Sequence, residues 1–515
     1  MRLFLTLFGW LFVCNTLAQS KFQERVANIL YTYDTLTTPH LIKSLRLYQN
    51  GFIRQADSLA LLTPQLTRPN YDMFWLFGIT GYSGLRKHSH DDSVTMRIKN
   101  WLKNYHVWKG NTENHHLLYY TALYLLPQIY PELSRSDDWF HGQNPLTLKL
   151  EAYEHIQNWI HRTTYEGQGE FDTPTYFPEY MWCMVLLHRF AEDEKMRLQA
   201  KLMMDWLLID FALDHLDGMM LGGHSREDPI AVYTPRKGFA TEFAYLYFGI
   251  GEHQPNMTWC IWMNALCGYE PPTFIQQLAT DRSRPILNKE RKRTRDRYRH
   301  VTRRNDPVYR TTYVTNEYGL SSIQGGILQP IQQHTWSVRF RETKPYSTIF
   351  AVHPYWSKYE LEMYFTEPFT VESVTAQKPT YSQPTKWTSA SPCERIFQYK
   401  NDLIGLYVIP DSMPTDHINF FFPKTLDERK VLPTGWIVAR AGKTYVGVYL
   451  YQPYEWMQLL EDEFNHRLRS KGNVNGYVVV VRDETEVGSF EAFCDKISAS
   501  RPAFKWENQS LSVTY

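Results

Sequence analysis

The 515-residue chain has only six cysteines, and none falls in a Cys-x-x-Cys pair. With no His-Glu-x-x-His either, the spacings that build a structural zinc site or a helical zinc-protease centre are missing. Cys260 and Cys267 stand seven apart, about 10 Å along one helix, which is beyond disulfide reach. Buried free thiols are therefore expected at Cys183, Cys260, Cys267, Cys393 and Cys494. Charge of one sign is lacking too: 55 Lys and Arg against 54 Asp and Glu leave a formal net charge of +1. That supplies no global field for steering the chain onto nucleic acid or lipid. Past the first residues no long uninterrupted apolar run occurs, so no integral membrane span is expected.

What is present begins with "MRLFLTLFGWLFVCNTLAQS": a basic residue at Arg2, an apolar run from Leu3 to Val13, and a small-residue exit at Thr16-Leu17-Ala18. This is the pattern of a cleavable signal peptide over 1–18. A lipid anchor on Cys14 is the alternative, disfavoured by bulky Val13. The mature chain is expected to be exported, either periplasmic or secreted. Aromatic residues make up 15% of the whole, which suits sugar stacking and a large helical core equally.

The length favours two domains. Up to about residue 300 apolar residues recur at helical spacing, as in "LKLEAYEHIQNWIHR" (147–161), "PEYMWCMVLLHRFAED" (178–193) and "KMRLQAKLMMDWLLIDFALDHL" (195–216). Polar breaks such as "HGQNPLT" and "YEGQGEFDTPT" separate them, so antiparallel helix pairs are expected over 19–300. From 301 to 515 short alternating runs take over, among them "RTTYVTN", "TWSVRFR", "STIFAVH" and "GYVVVVRD". They predict a large antiparallel β domain of stacked sheets. Between the halves, "NKERKRTRDRYRHVTRRN" (288–305) is the densest basic stretch. It reads as a solvated connector, as a helix rich in ion pairs, or as a positive wall for a polyanion.

Three loops of the helical half carry side chains capable of chemistry. "GNTENHHLLYY" (110–120) sets Glu113, Asn114, His115 and His116 at the start of an apolar helix. The N–H groups and positive dipole end of such a helix suit an anion; the alternative is an ordinary N-cap at Thr112 or Asn114, with Glu113 complementing the dipole. "GEFDTPTYFPEYMW" (169–182) leaves Tyr176 at a helix entrance, and "DGMMLGGHSRED" (217–228) presents His224 and Arg226 after a Gly-Gly turn. In a ring of helix pairs, alternate entrances open on one face, so these residues can line one cleft. Breaking a uronic acid polymer by β-elimination needs donors that neutralise the carboxylate, and Tyr or His for the proton steps. Asn, His, Tyr and Arg supply both without a metal or other cofactor.

The Asn-His pair opening a helix, the Phe-x-x-Pro-Thr-Tyr entrance, the helix pair "FAEDEKMRLQAKLMMDWLLIDFALDHLDG" (190–218) and the Gly-Gly-His-x-Arg that follows resemble the (α/α)-toroid polysaccharide lyases, of the heparinase II/III-like and alginate lyase type. The resemblance implies an α+β multidomain fold, an (α/α) toroid followed by an antiparallel β-sandwich. It implies that Asn114 and His115 neutralise a uronate carboxylate and that Tyr176 is the acid, or acid and base together. It makes His224 a candidate base, and Arg226 and Glu113 candidate substrate contacts. The β domain would add "QQHTWSVRF" (332–340), with His334 and Trp336 as contacts or as ordinary strand residues. The expected partner is an anionic polysaccharide or oligosaccharide: alginate, glucuronan, a glycosaminoglycan or a glucuronate side chain. No His/Asp/His set for a metal is found in the β half. Two rivals stand beside this reading. A glycoside hydrolase would draw two carboxylates from Glu113, Glu170, Asp172, Glu227 and Asp228, and a non-catalytic envelope glycan-binding protein would cut nothing.

Overall fold

The computed structural model describes residues 21–32, 40–67, 73–86, 92–105, 112–131, 142–293, 307–325, 332–341, 346–355, 386–458 and 464–515. The leader over 1–18 and residues 294–305 of the basic stretch lie outside them. The chain forms a mixed α+β protein, helical in its N-terminal part and β-rich in its C-terminal part. It divides into two compact units. One comprises 1–165, 176–212 and 242–280; the other comprises 166–175, 213–241 and 281–515. A single cut at residue 300 therefore misses two earlier segments that belong with the strands.

In the helical unit, Met73–Arg86, Glu113–Ile129, Phe177–Phe190 and Thr258–Cys267 pack side by side as a row. They are apolar nearly all round, as buried helices must be. Pro145–Glu166 and Glu194–Leu213, which alternate with them along the chain, bury one stripe: Leu148, Ala152, Ile156 and Trp159 in the first, Met196, Ala200, Met203 and Leu207 in the second. Their outward faces leave Leu146, Leu150, Leu198 and Leu202 exposed. Because a returning helix separates each pair of row members, Glu113–Ile129 and Phe177–Phe190 run in the same direction.

The other unit opens with a short hairpin, β1 (His215–Leu216) and β2 (Met219–Met220). A meander follows: β3 (Ile286–Arg293), β4 (Pro307–Val314), β5 (Tyr318–Gly325), β6 (Trp336–Phe340) and β7 (Thr348–Val352). Strands β8 (Glu394–Tyr399), β9 (Asp402–Val408), β10 (His417–Pro423), β11 (Glu428–Val431), β12 (Ile437–Ala441), β13 (Thr444–Leu450), β14 (Tyr454–Met457), β15 (Asn465–Lys471) and β16 (Val474–Asp483) complete two antiparallel sheets. Their orders are β14-β15-β10-β7-β6-β5-β4-β3 and β11-β12-β13-β16-β9-β8. A last hairpin joins β17 (Ala503–Glu507) and β18 (Ser510–Thr514).

Alternation along the strands sends Leu320, Trp336, Val338, Phe420, Leu403, Val448 and Val479 into one core between the sheets. The far face of the six-stranded sheet is covered by the helix Phe490–Ser498, through Phe490, Phe493 and Ile497. Strand β3 is the basic sequence "ILNKERKR", in which Lys292 and Arg293 are buried. This part of the basic stretch is neither connector nor helix, because its charges pair within the sheet's surroundings.

One position in the core is set by the absence of a side chain. Gly405 lies directly opposite Tyr477 in the β9–β16 ladder, and a Cβ there would run into the Tyr477 ring. That ring is pinned, since Tyr477 Oη accepts the Trp336 indole N–H at 2.6 Å and contacts Tyr407 Oη at 3.2 Å. Gly405→Ala is expected to cost about 1–3 kcal/mol through overpacking. A lower urea midpoint at unchanged m-value checks it.

Candidate functional site

Thr112 caps the helix Glu113–Ile129, its hydroxyl accepting the His115 N–H at 3.3 Å. Asn114 and His115 thus occupy the first turn, as the sequence suggests, with the cap falling on Thr112. Asn114 is fully enclosed and its Oδ1 accepts the Thr112 hydroxyl. His115 is half-buried, with its ring edge-on to Phe74 at 5.5 Å. Phe74 is 42% exposed and sits in the first turn of its own row helix. Tyr176 is the N-cap residue of Phe177–Phe190 and is half-buried.

Trp159, from the returning helix, ties these entrances together. Its indole N–H donates to Glu113 Oε1 at 2.8 Å, and its ring stacks on Tyr180 at 5.7 Å and 8°. Glu113 and Tyr180 stand in the first turns of their two helices, so one tryptophan fixes both N-terminal ends on the same side of the unit. Asn114 and His115, with Phe74 beside them, stand at one of these ends and Tyr176 at the other. The parallel dipoles direct partial positive charge to this side, where backbone N–H groups can meet a carboxylate, and Glu113 and Glu179 are the acidic residues of the two first turns. Glu113 is committed to Trp159, which accounts for it as a structural acceptor.

The remaining candidates belong to the β unit. Gly222 and Gly223 let residues 221–225 turn tightly over β6: Gly223 has φ +79°, and a Cβ on Gly222 would strike Ser337. Beyond the turn, His224 and His334 pair through their backbones, with N–H to O distances of 2.8 and 3.0 Å, and their rings stack at 5.7 Å. His224 is fully buried. Its Nδ1–H donates to the Asp172 carbonyl, which leaves Nε2 to accept from Arg339 Nη2 at 3.1 Å. Burial, then the Arg339 charge, hold it neutral, with its pKa well below the ordinary value. Both of its nitrogens are engaged, unlike a base standing open after a turn. Arg226 is likewise tied, to Gln332 at 2.8 Å and Glu170 at 3.6 Å. Trp336 has no exposed surface and belongs to the sandwich core.

Reading the sequence picked out His334 and missed Arg339 two strand positions beyond Ser337. The signal was available in "WSVRF": alternation puts Trp336 and Val338 on one face and Ser337 and Arg339 on the other, yet all five residues are buried. A fully enclosed arginine in a strand means that something polar covers that face. The cover includes Glu227, whose Oε1 accepts from Thr175 Oγ1 at 2.8 Å and from the Asp228 N–H at 2.6 Å. Burial pushes the Glu227 carboxyl up and the Arg339 guanidinium down, each toward its neutral form. Among the described residues, Glu227 Oε2 and both ring nitrogens of His334 are buried without a hydrogen-bond partner.

A second polar cluster lies on the same sheet. Arg310, fully buried on β4, contacts Asp172 at 3.2 Å, Asp214 at 2.5 Å and Glu290 at 3.0 Å. Lys292 reaches Glu290 at 3.1 Å and Asp172 at 3.6 Å. Among the described residues these three carboxylates are the group close enough to share a metal ion, but two side-chain cations already stand among them. Of the carboxylates that a hydrolase could draw on, Glu113, Glu170 and Asp172 are engaged internally, as is one oxygen of Glu227, while Asp228 stands beside Glu227 and is exposed.

No family model matches the chain, and no curated protein does. Among solved structures the chain is similar to the xanthan lyase of Paenibacillus, at 8% identity and a TM-score of 0.32, over 94% of this chain and 61% of that one. It therefore spans about three-fifths of that protein's length. A likeness of this size transfers no activity. No described helix is long and apolar enough to cross a membrane.

His334 generates a pH prediction. Burial, then Arg339, lower its pKa from 6.5 to about 3. Between those values the unfolded chain binds a proton that the folded chain does not, so stability falls as pH drops. Relative to His334→Gln, the wild type should lose roughly 1.4 kcal/mol per pH unit from pH 6 to 4. Urea unfolding of both proteins across that range measures the difference.

Proposed function

We propose that the chain is a polysaccharide lyase of the heparinase II/III-like and alginate lyase type, cleaving a uronic-acid-containing glycan by β-elimination. The observation that supports this reading is Trp159, which holds on one side of the unit the helix ends that bear Asn114 and His115 and that begin after Tyr176. The row of parallel inner helices supports the finer description of the helical part as an (α/α) toroid, and the leader-like first residues support export.

In this mechanism the uronate carboxylate faces the first turn of Glu113–Ile129. The helix end and His115, with the Asn114 amide behind it, take up its charge and that of the developing enolate. The carbon beside the carboxylate becomes acidic enough for Tyr176, as phenolate, to remove its proton. The electron pair forms the ring double bond while the bond to the glycosidic oxygen breaks. That oxygen leaves with the proton Tyr176 has just acquired, and the phenolate is restored. Phe74, exposed beside His115, offers a flat face for a neighbouring sugar.

Purified protein incubated with alginate, glucuronan and glycosaminoglycans should generate the ultraviolet absorbance of the conjugated double bond on at least one of them. Tyr176→Phe should reduce that rate by about 10²- to 10⁴-fold, and Asn114→Ala should reduce it as well. New reducing ends without ultraviolet absorbance would replace elimination with hydrolysis, and neither signal would favour a glycan-binding protein.

A further inference from the structure

We propose that the β unit carries a glycan-binding pocket at the mouth of its sandwich, which receives a neutral pyranose ring and leads its chain along strand β8. A cavity of about 490 Å³ opens there between the start of β4, the end of β5 and the start of β8. Its size falls within the roughly 300–1,000 Å³ of small-molecule sites. Tyr309 and Gln324 stand opposite each other in the β4–β5 ladder and form one wall. Tyr309 is 54% exposed, although its strand neighbours Val308 and Arg310 are buried. The opposite wall is Glu394, held rigidly: Oε1 accepts the Tyr407 hydroxyl at 2.5 Å and Oε2 the Thr335 hydroxyl at 3.0 Å.

The chemistry of this lining selects the ligand class. A sugar ring presents hydroxyls that each need a donor and an acceptor, together with a flat C–H face. The pocket supplies amides at Gln324 and Gln333, a carboxyl at Glu394, and a phenol face at Tyr309. Its cation, Arg395, sits at the rim and donates to the Pro392 and Glu394 carbonyls of its own turn at 2.9 and 2.8 Å. There is no cluster of positive charge for a phosphate or polyanion in this lining.

The path out of the pocket is set by strand geometry. β8 is the last strand of its sheet among the described residues. Residues at every second position share a face about 7 Å apart, so Arg395, Phe397 and Tyr399 line up on the face of β8 opposite to Glu394 and Ile396. Phe397 and Tyr399 are 60% and 58% exposed. Arg395 belongs to both the pocket lining and this face, so a sugar chain that leaves the pocket over the edge of β8 meets two exposed aromatic rings as a stacking track.

Isothermal titration with cellotetraose tests the proposal, because that probe has no carboxylate and cannot undergo β-elimination, so binding is read independently of lyase activity. Saturable binding is expected, weakened about tenfold by Tyr309→Ala and by Phe397→Ala and unchanged by Asn114→Ala. All three variants are compared at matched thermal stability, and Gln324→Ala serves as a second pocket variant. No saturable heat, or binding that persists in both pocket variants, overturns the proposal. So does binding abolished by Asn114→Ala. Concentration-dependent self-association in sedimentation velocity, lost in Phe397→Ala, would assign the aromatic track to a second copy of the chain and also overturn it.

Discussion

The β unit depends on one buried guanidinium. Arg310 sits on the face that β3 to β7 turn away from the sandwich core, and three of the segments covering that face reach it. It holds Asp172 from 166–175, Asp214 from the approach to β1, and the carbonyls of Leu221 and Gly222 at 3.2 Å each. Taking such a charge out of water is costly, and it is tolerated only where partners surround it completely. Three carboxylates face two cations, Arg310 and Lys292, and burial drives the Asp214 carboxyl up to about 6 against the opposing pull of Arg310. Asp172 shows the tension: it holds a left-handed φ of +48°, with its carboxylate on Arg310 and its carbonyl on His224. The cluster therefore reaches through one residue to the tautomer of a histidine.

The helical unit uses a neutral device for the same purpose. Trp159 is apolar where it stacks on Tyr180 and polar where it meets Glu113, so one side chain aligns two helix ends with no buried charge of its own. The potential at that end is then set by the backbone dipoles, His115 and the buried Glu179 of the second helix's first turn. Glu113, the one acidic group in the first turn of Glu113–Ile129, is drawn aside to the indole.

Much of this was legible in the sequence, for identifiable reasons. The helices over 147–161, 178–193 and 195–216 announce themselves by period, and the entrance after Thr-Pro-Thr-Tyr is marked by Pro178, because proline belongs in a first turn. Strand β3 was hidden because "ILNKERKR" has the alternation of a strand written in charges, whose partners are far away in sequence. Trp159 was hidden because a tryptophan in mid-helix looks like any core residue until its neighbours are known. Arg310 and Arg339 were passed over for the converse reason: arginine in a strand reads as solvent-facing unless the covering segment is known to exist. That segment lies about 100 residues earlier in the chain for each of them, beyond the range of any local pattern.

The interleaving of the two units bears on how the chain acquires its structure. Residues 166–175 and 213–241 are made before β3, yet belong with strands that emerge afterwards. The helical unit, meanwhile, needs residues up to 280 for its last members. During synthesis the early β segments must wait while helices on both sides of them are already able to pack through local contacts. Sequence-distant pairing of this kind is slow to form. The Gly-Gly-His segment, with the carbonyls of Leu221 and Gly222 committed to an arginine not yet translated, must wait for β4 before its backbone acceptors are met.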